Sequence, residues 1–216
     1  MDLIKSTNLG HNGGFYLYSV HSNKINNLAN GFSSLRDFLG KMFTECPHSF
    51  FNSGPRSSTL RIKMPFDIIE VKGHEVSNFA ELGLDKNKER YANNHMRVQM
   101  FMLENDEKTT AMEIPLWMEH DELDDYIEIF RTFEPLTGHV DILRLDDNKI
   151  WIWDYKPNAK SEKYAATQVY FYALMLSKRT GIPLDEIRCG WFDHETAFLF
   201  KPKEVKFSYN KDVKYY

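Results

Sequence analysis

Asp154 and Lys156 stand two residues apart at the end of the segment IWIWDYKP, and Asp141 precedes them in TGHVDILRL. Side chains along a strand alternate between faces, so residues two apart share one. Trp151, Trp153 and Tyr155 then fall on one face, and Ile150, Ile152, Asp154 and Lys156 on the other. The polar run DDNK, Asp146 to Lys149, suits a β-hairpin turn between the two segments. A loop of Asp147-Asn148 alone and a loop of all four residues set the same register, with Asp141 opposite Asp154 and His139 opposite Lys156. Cross-strand neighbours hold their Cβ atoms about 5 Å apart, so two carboxylates there repel unless a cation lies between them.

Lys156 offers one cation on that face, and a divalent metal ion is the other candidate. Mg²⁺ favours a few carboxylates together with waters and phosphate oxygens. This set suits phosphodiester hydrolysis. A metal would activate water and screen charge on the phosphate, while the lysine orients or deprotonates that water. A lysine acting as base needs a lowered pKa, which a nearby metal and partial burial would supply. The blander account is a salt-bridged hairpin, because charged strand ends are common.

The elements around this hairpin can be read from periodicity. The first 30 residues are rich in Gly, Asn and Ser and suggest irregular structure with one short strand at FYLYSV. Residues 32–43 read as a short helix and SFFNSGPRSS as a loop. Residues 84–105 suggest one long helix, with Tyr91, His95, Val98 and Met102 at helical steps. TTAMEIPLWM (109–118) reads as a strand in which Pro115 implies an edge or a bulge. YIEIFRTF (126–133) alternates like a further strand. Residues 161–181 form the clearest helix, with Ser161 as N-cap and Gly181 as its stop, and residues 187–202 a closing hairpin. The sum is a mixed α/β fold.

Composition sets the outer limits. The chain has 216 residues, of which 42% are hydrophobic and 14% aromatic, as expected of a globular protein with a sizeable core. It carries no apolar run of membrane-spanning length and no signal-peptide pattern, so an intracellular protein, cytoplasmic or virus-encoded, with no membrane partner is expected. Cys46 and Cys189 alone give no disulfide framework. Net charge is −4, but residues 104–154 carry −11 between flanks of +3 and +4. The acidic run MEHDELDDY reads as a solvated loop, too crowded with acids to be buried.

GHVDIL, WDYK and QVYFYAL, in that order, resemble the core of the PD-(D/E)XK nucleases, in the RecB-type exonuclease branch. That branch includes phage recombination, CRISPR-associated RecB-like and mitochondrial genome-maintenance exonucleases. The resemblance spans residues 89–195 and implies a restriction-endonuclease-like core, a central mixed sheet flanked by helices. It places a nuclease core at 84–216 and an N-terminal region of helix and irregular structure at 1–83. It implies that Asp141, Asp154 and Lys156 are the catalytic acids and lysine, and that Gln168 and Tyr172 match the Q-x-x-x-Y of the next helix. His95 and the backbone carbonyl of Tyr155 would join Asp141 and Asp154 as metal ligands, and Glu113 resembles the glutamate of a neighbouring core strand. The cofactor implied is Mg²⁺, with Mn²⁺ as substitute. The implied substrate is DNA, single-stranded or with free ends, and the implied partners are replication or recombination proteins.

SSLRDFLGKMFTECPHSFF is also similar to a segment of many relatives, in some of which the cysteine ligates an iron–sulfur cluster. With only Cys189 besides Cys46, no such cluster is expected, and Cys46 reads as a small buried hydrophobe. Three functions compete on these residues: a metal-dependent deoxyribonuclease, a catalytically degenerate nucleic-acid-binding module, and an interaction subunit using the acidic stretch. Cleavage lost on chelation separates the first from the others, and DNA binding that survives chelation separates the second from the third.

Overall fold

The computed structural model describes residues 3–11 and 13–205. Strands β1 (Ile4–His11) and β2 (Gly14–His21) form a hairpin, followed by helices α1 (Ser22–Leu28) and α2 (Ser33–Lys41). Two 3₁₀ turns, His48–Phe51 and Ser57–Thr59, lead to the short strand β3 (Ile69–Lys72). Helices α3 (Glu75–Lys86) and α4 (Asn94–Asn105) come next, then β4 (Thr109–Met118) and α5 (Tyr126–Phe130). The chain continues through β5 (Leu136–Asp146), β6 (Lys149–Tyr155), α6 (Ala165–Thr180), β7 (Ile187–Phe192) and β8 (Thr196–Phe200).

The eight strands of the described residues join one mixed sheet, ordered β1-β2-β4-β5-β6-β7-β8-β3. Among the described residues only β6 and β7 run parallel, and α6 is the crossover that parallel neighbours require. Apolar residues of α2 and α6 bury one sheet face against Leu143, Leu145, Ile150 and Ile152. Val76 and Ala80 of α3 and Val98 and Met102 of α4 cover the other face against Ile142, Trp153 and Tyr155. This is the α/β, helix-flanked mixed sheet expected of a restriction-endonuclease-like core. Trp151 and Trp153 stack at 5.3 Å on that second face, as the alternation of IWIWDYK requires.

The β5–β6 hairpin has the expected register from Asp146–Lys149 to Ile142–Trp153, while the pairs expected beyond it, Asp141 with Asp154 and His139 with Lys156, are not part of its regular ladder. Asp146 pairs with Lys149, leaving the two-residue turn Asp147-Asn148 with φ of 49° and 54°. Positive φ at both positions is the turn whose twist matches the strands it joins. The helix ending at Gly181 stops as expected, with the glycine at φ 72° and its N–H bonded to the Ser177 carbonyl.

Four expectations fail. The N-terminal stretch is a hairpin of two eight-residue strands, of which β2 is the strand expected at FYLYSV and β1 stands where irregular structure was expected; β1 buries only Leu9 and His11, so its sequence lacks the apolar alternation of a core strand. The single helix over 84–105 is two helices. Asn87 caps the end of α3, and the Asn93 side chain accepts from the His95 N–H at 2.7 Å to start α4. YIEIFRTF contains the short helix α5, because Tyr126 and Ile129, three apart, are its buried residues. Ser161 ends a 3₁₀ turn, and α6 begins after Tyr164 without a side-chain cap. Among the described residues, no helix is long and apolar enough to cross a membrane.

Candidate active site

Asp154 is the penultimate residue of β6 and is buried, with its carboxylate held from two sides. Gln168 Nε2, on α6, donates to Asp154 Oδ1 at 3.0 Å and lies 2.9 Å from the Tyr172 hydroxyl oxygen, to which it also donates. One amide group therefore ties the strand acid to the helix. Lys156 Nζ lies 2.7 Å from Asp154 Oδ2, a charge contact off hydrogen-bonding alignment, and among the described residues this oxygen has no hydrogen-bond partner.

Asp141, on β5, lies where the ladder ends. The last regular pair is Ile142 with Trp153, and beyond it Asp141 Oδ2 accepts the Tyr155 backbone N–H at 2.9 Å. In a strand the N–H and C=O of one residue point to the same side, so the Tyr155 carbonyl also faces Asp141. His95 approaches from α4 with Nε2 3.9 Å from Asp141 Oδ2 and its ring edge-on to Tyr155 at 5.1 Å.

Glu113 brings a third carboxylate from β4. Its φ of 53° breaks the alternation of the strand, a costly backbone state for a non-glycine residue, and such states gather at functional sites. Gln99 of α4 donates to Glu113 Oε1 at 2.7 Å. β4 is an interior strand with its register shift at Thr109–Ala111, not the edge or bulge expected at Pro115; Pro115 pairs with His139 and is accommodated because it lies past the last β4 residue paired with β2.

All the side chains singled out in the sequence therefore meet at one open cleft of about 280 Å³: His95, Glu113, Asp141, Asp154, Lys156, Gln168 and Tyr172. Sequence reasoning missed Gln99, Arg56 and Tyr16, which line or support the same cleft. Gln99 left a signal, since it lies one helical turn after His95 and so shares its face. Arg56 and Tyr16, whose guanidinium and hydroxyl are hydrogen-bonded, come from distant segments and left none. Close approach also requires Gly138, because a Cβ there would strike the Tyr172 ring and Ser57 Oγ.

The electrostatics follow from three acids crowded away from water. Burial, then Asp154 and Glu113, raise the Asp141 pKa well above the usual carboxylate range. Burial chiefly raises Glu113 to about 7, with Asp154 adding and the Gln99 hydrogen bond opposing. Burial lowers His95, with Lys156 adding to the effect while Asp154 and a backbone hydrogen bond to Tyr155 oppose it. That favours the neutral imidazole a metal requires. For Lys156, burial pulls the pKa down, but Asp154 and Asp141 outweigh it and the net shift is upward. The protein's own groups therefore do not supply the lowered lysine that a general base needs.

A hard divalent cation fits this donor set. The site offers carboxylate oxygens, a backbone carbonyl and one imidazole, with one buried Asp154 oxygen lacking an aligned donor. Asp141, Asp154, His95 and the Tyr155 carbonyl could hold Mg²⁺ or Mn²⁺, with Glu113 beside them.

Comparison with known sequences gives a family match on the same elements. The sequence profile of the PD-(D/E)XK nuclease superfamily matches residues 70–215, from β3 through the hairpin, α6 and β8. A search of curated proteins returned no match.

Proposed function

Because this chain belongs to the PD-(D/E)XK nuclease superfamily, we propose that it is a Mg²⁺- or Mn²⁺-dependent deoxyribonuclease, of the RecB-like type, that hydrolyses DNA from its ends in repair, recombination or replication. The convergence of Glu113, Asp141 and Asp154 from three adjacent strands, with the Lys156 ammonium against Asp154, carries this reading. When bound, the metal supplies Lewis acidity toward the phosphate and a water of lowered pKa.

The chain's own groups divide the remaining work. Asp141 and Asp154 provide anionic oxygens, and the Gln168 amide fixes the Asp154 carboxylate in one orientation. Tyr172 keeps its proton, since burial and the nearby acids raise its pKa well above the usual value, so its hydroxyl stays a neutral partner for Gln168. Lys156 acts as a protonated donor that orients the attacking water and meets charge developing on the phosphate.

The walls of the cleft support a flexible strand or a frayed end as substrate. The cleft shares Ser58, Lys156 and Gln168 with a neighbouring cavity that Arg61, Lys163 and Tyr164 also line. The Arg61 guanidinium lies over the Tyr164 ring at 5.2 Å, and Phe15 at the cleft rim is 87% exposed. An exposed aromatic at the rim and basic side chains along the neighbouring cavity suit a stacked base and its phosphates.

Digestion of end-labelled linear and closed circular DNA, each single- and double-stranded, tests the reading. Linear single strands should be degraded in Mg²⁺ or Mn²⁺, circles spared, and chelator should stop the reaction. Cleavage of circles would overturn the requirement for ends. Chelator-resistant DNA binding without cleavage under any condition would leave a catalytically degenerate binding module.

A further inference from the structure

His11, Cys46 and His48 gather outside the acidic cleft, with their ligand atoms within 4.8 Å of one another. His11 is the last residue of β1 and is fully buried, Cys46 is buried, and His48 is exposed. The two remaining donors come from one tight turn. The His48 N–H bonds the Cys46 carbonyl at 2.9 Å around Pro47, whose φ of −79° and ψ of 72° are those of an inverse γ-turn.

We propose that His11, Cys46 and His48 form a second metal site, for a borderline-soft divalent cation of the zinc class, pinning the N-terminal hairpin to the 46–48 turn. Two imidazole nitrogens and a thiolate are the donors such an ion selects, whereas Mg²⁺ prefers oxygen. His11 Nε2 and His48 Nδ1 lie 2.9 Å apart. Around a tetrahedral ion with ordinary Zn–N lengths they would stand about 3.3 Å apart, an opening of a few tenths of an ångström. As the ion binds, the Cys46 thiol proton leaves to solvent and the sulfur lone pair forms the metal–sulfur bond. Water completes the fourth position on the exposed His48 side.

The surroundings already have the form that metal-bound histidines need. His11 Nδ1 lies 2.8 Å from His139 Nε2, so a metal on Nε2 leaves Nδ1–H to donate to His139. Phe51 stacks on the His11 ring at 4.1 Å, fixing its plane. His139 in turn stacks on Tyr16 at 3.7 Å, and both line the acidic cleft. The pinned hairpin is therefore one wall of that cleft, although the two sites share no ligand.

Cobalt substitution tests the site without using activity. Folded, metal-stripped full-length protein is titrated with Co²⁺ as wild type, Cys46→Ser, His48→Ala and Asp154→Asn. Only a sulfur ligand gives a thiolate-to-cobalt charge-transfer band in the near ultraviolet, and the acidic cleft offers none. The wild type should develop this band with visible bands of a tetrahedral ion, and in Asp154→Asn, whose acidic cleft has lost a ligand, the band should saturate at one equivalent. Asp154→Asn should keep the band, Cys46→Ser should lose it, and His48→Ala should weaken binding on the order of tenfold or more. A wild type without the band, or a band that survives Cys46→Ser, overturns the site. Should Cys46→Ser not fold, the exposed His48 decides, and unchanged cobalt affinity in His48→Ala overturns it equally.

Discussion

Asp141 Oδ2 accepts the backbone N–H of Tyr155 at 2.9 Å, so a side chain takes the donor at the point where the regular β5–β6 pairing stops. The strands part there, and the space between them is where the acids of both meet. In the proposed reaction this junction is where the metal would be held.

Asp154→Asn should abolish metal-dependent cleavage, because a neutral amide is a poor ligand for a hard dication. Its carbonyl can still accept from Gln168, and one of three crowded acids is removed. The metal-free variant should therefore fold, with stability within about 1 kcal/mol of wild type. Denaturant unfolding in chelator beside Mn²⁺ calorimetry checks both halves.

Lys156→Ala should still bind Mn²⁺, and more tightly, since a positive charge leaves the site. Hydrolysis should fall on the order of a hundredfold or more, because the water loses its orienting donor. Calorimetry and single-turnover cleavage on the same preparation separate the effects. Wild-type cleavage by this variant would remove Lys156 from the chemistry.

The acid–acid–lysine set was legible because a two-residue turn and strand parity place it without knowledge of the rest of the fold. The register follows from DDNK whichever of the two loop lengths is taken, and the side-chain faces follow from counting. Glu113 was harder, since its direction depends on a positive φ that no residue pattern announces. β1 and β3 were missed because they are the two edges of the sheet and bury few side chains. The break before α4 was missed because Tyr91 continued the apolar spacing across it, although Asn93 and Asn94 carried the capping signal. Arg56 and Tyr16 reach the cleft only through tertiary packing.

Stability of the chelated protein should depend on pH through Glu113. Its folded pKa of about 7 stands above the ordinary 4.5, so the folded state holds this proton more tightly than the unfolded chain does. The stability it contributes is complete below about pH 4.5 and is lost as pH rises to about 7. Glu113→Gln keeps an acceptor for Gln99 and removes the charge. It should match wild type at the acid end and exceed it by a few kcal/mol, to order of magnitude, above pH 7. Unfolding curves in chelator across this range provide the measurement; parallel profiles for the two proteins would contradict it.

His95→Ala should reduce activity more at low Mg²⁺ than at saturation, since losing one ligand lowers affinity first. Its ring faces Asp141 from the first turn of α4, so thermal melts are needed to exclude a loosened helix. An equal loss at every Mg²⁺ concentration would make His95 a packing residue.

Gly138→Ala should push Tyr172 from its place, and with it Gln168, at a cost of about 1–3 kcal/mol for overpacking. Cleavage should fall more than metal affinity, since Asp141 and Asp154 stay on their strands. Melts and Mn²⁺ calorimetry, each beside a cleavage assay, give the comparison.

The most direct test of the site and its chemistry is release of label from end-labelled single-stranded DNA by wild type and Asp154→Asn in Mg²⁺. Wild type should release label only with metal present, and the folded variant should release none above background. An inert wild type in both Mg²⁺ and Mn²⁺, or a variant that cleaves at the wild-type rate, would contradict the account.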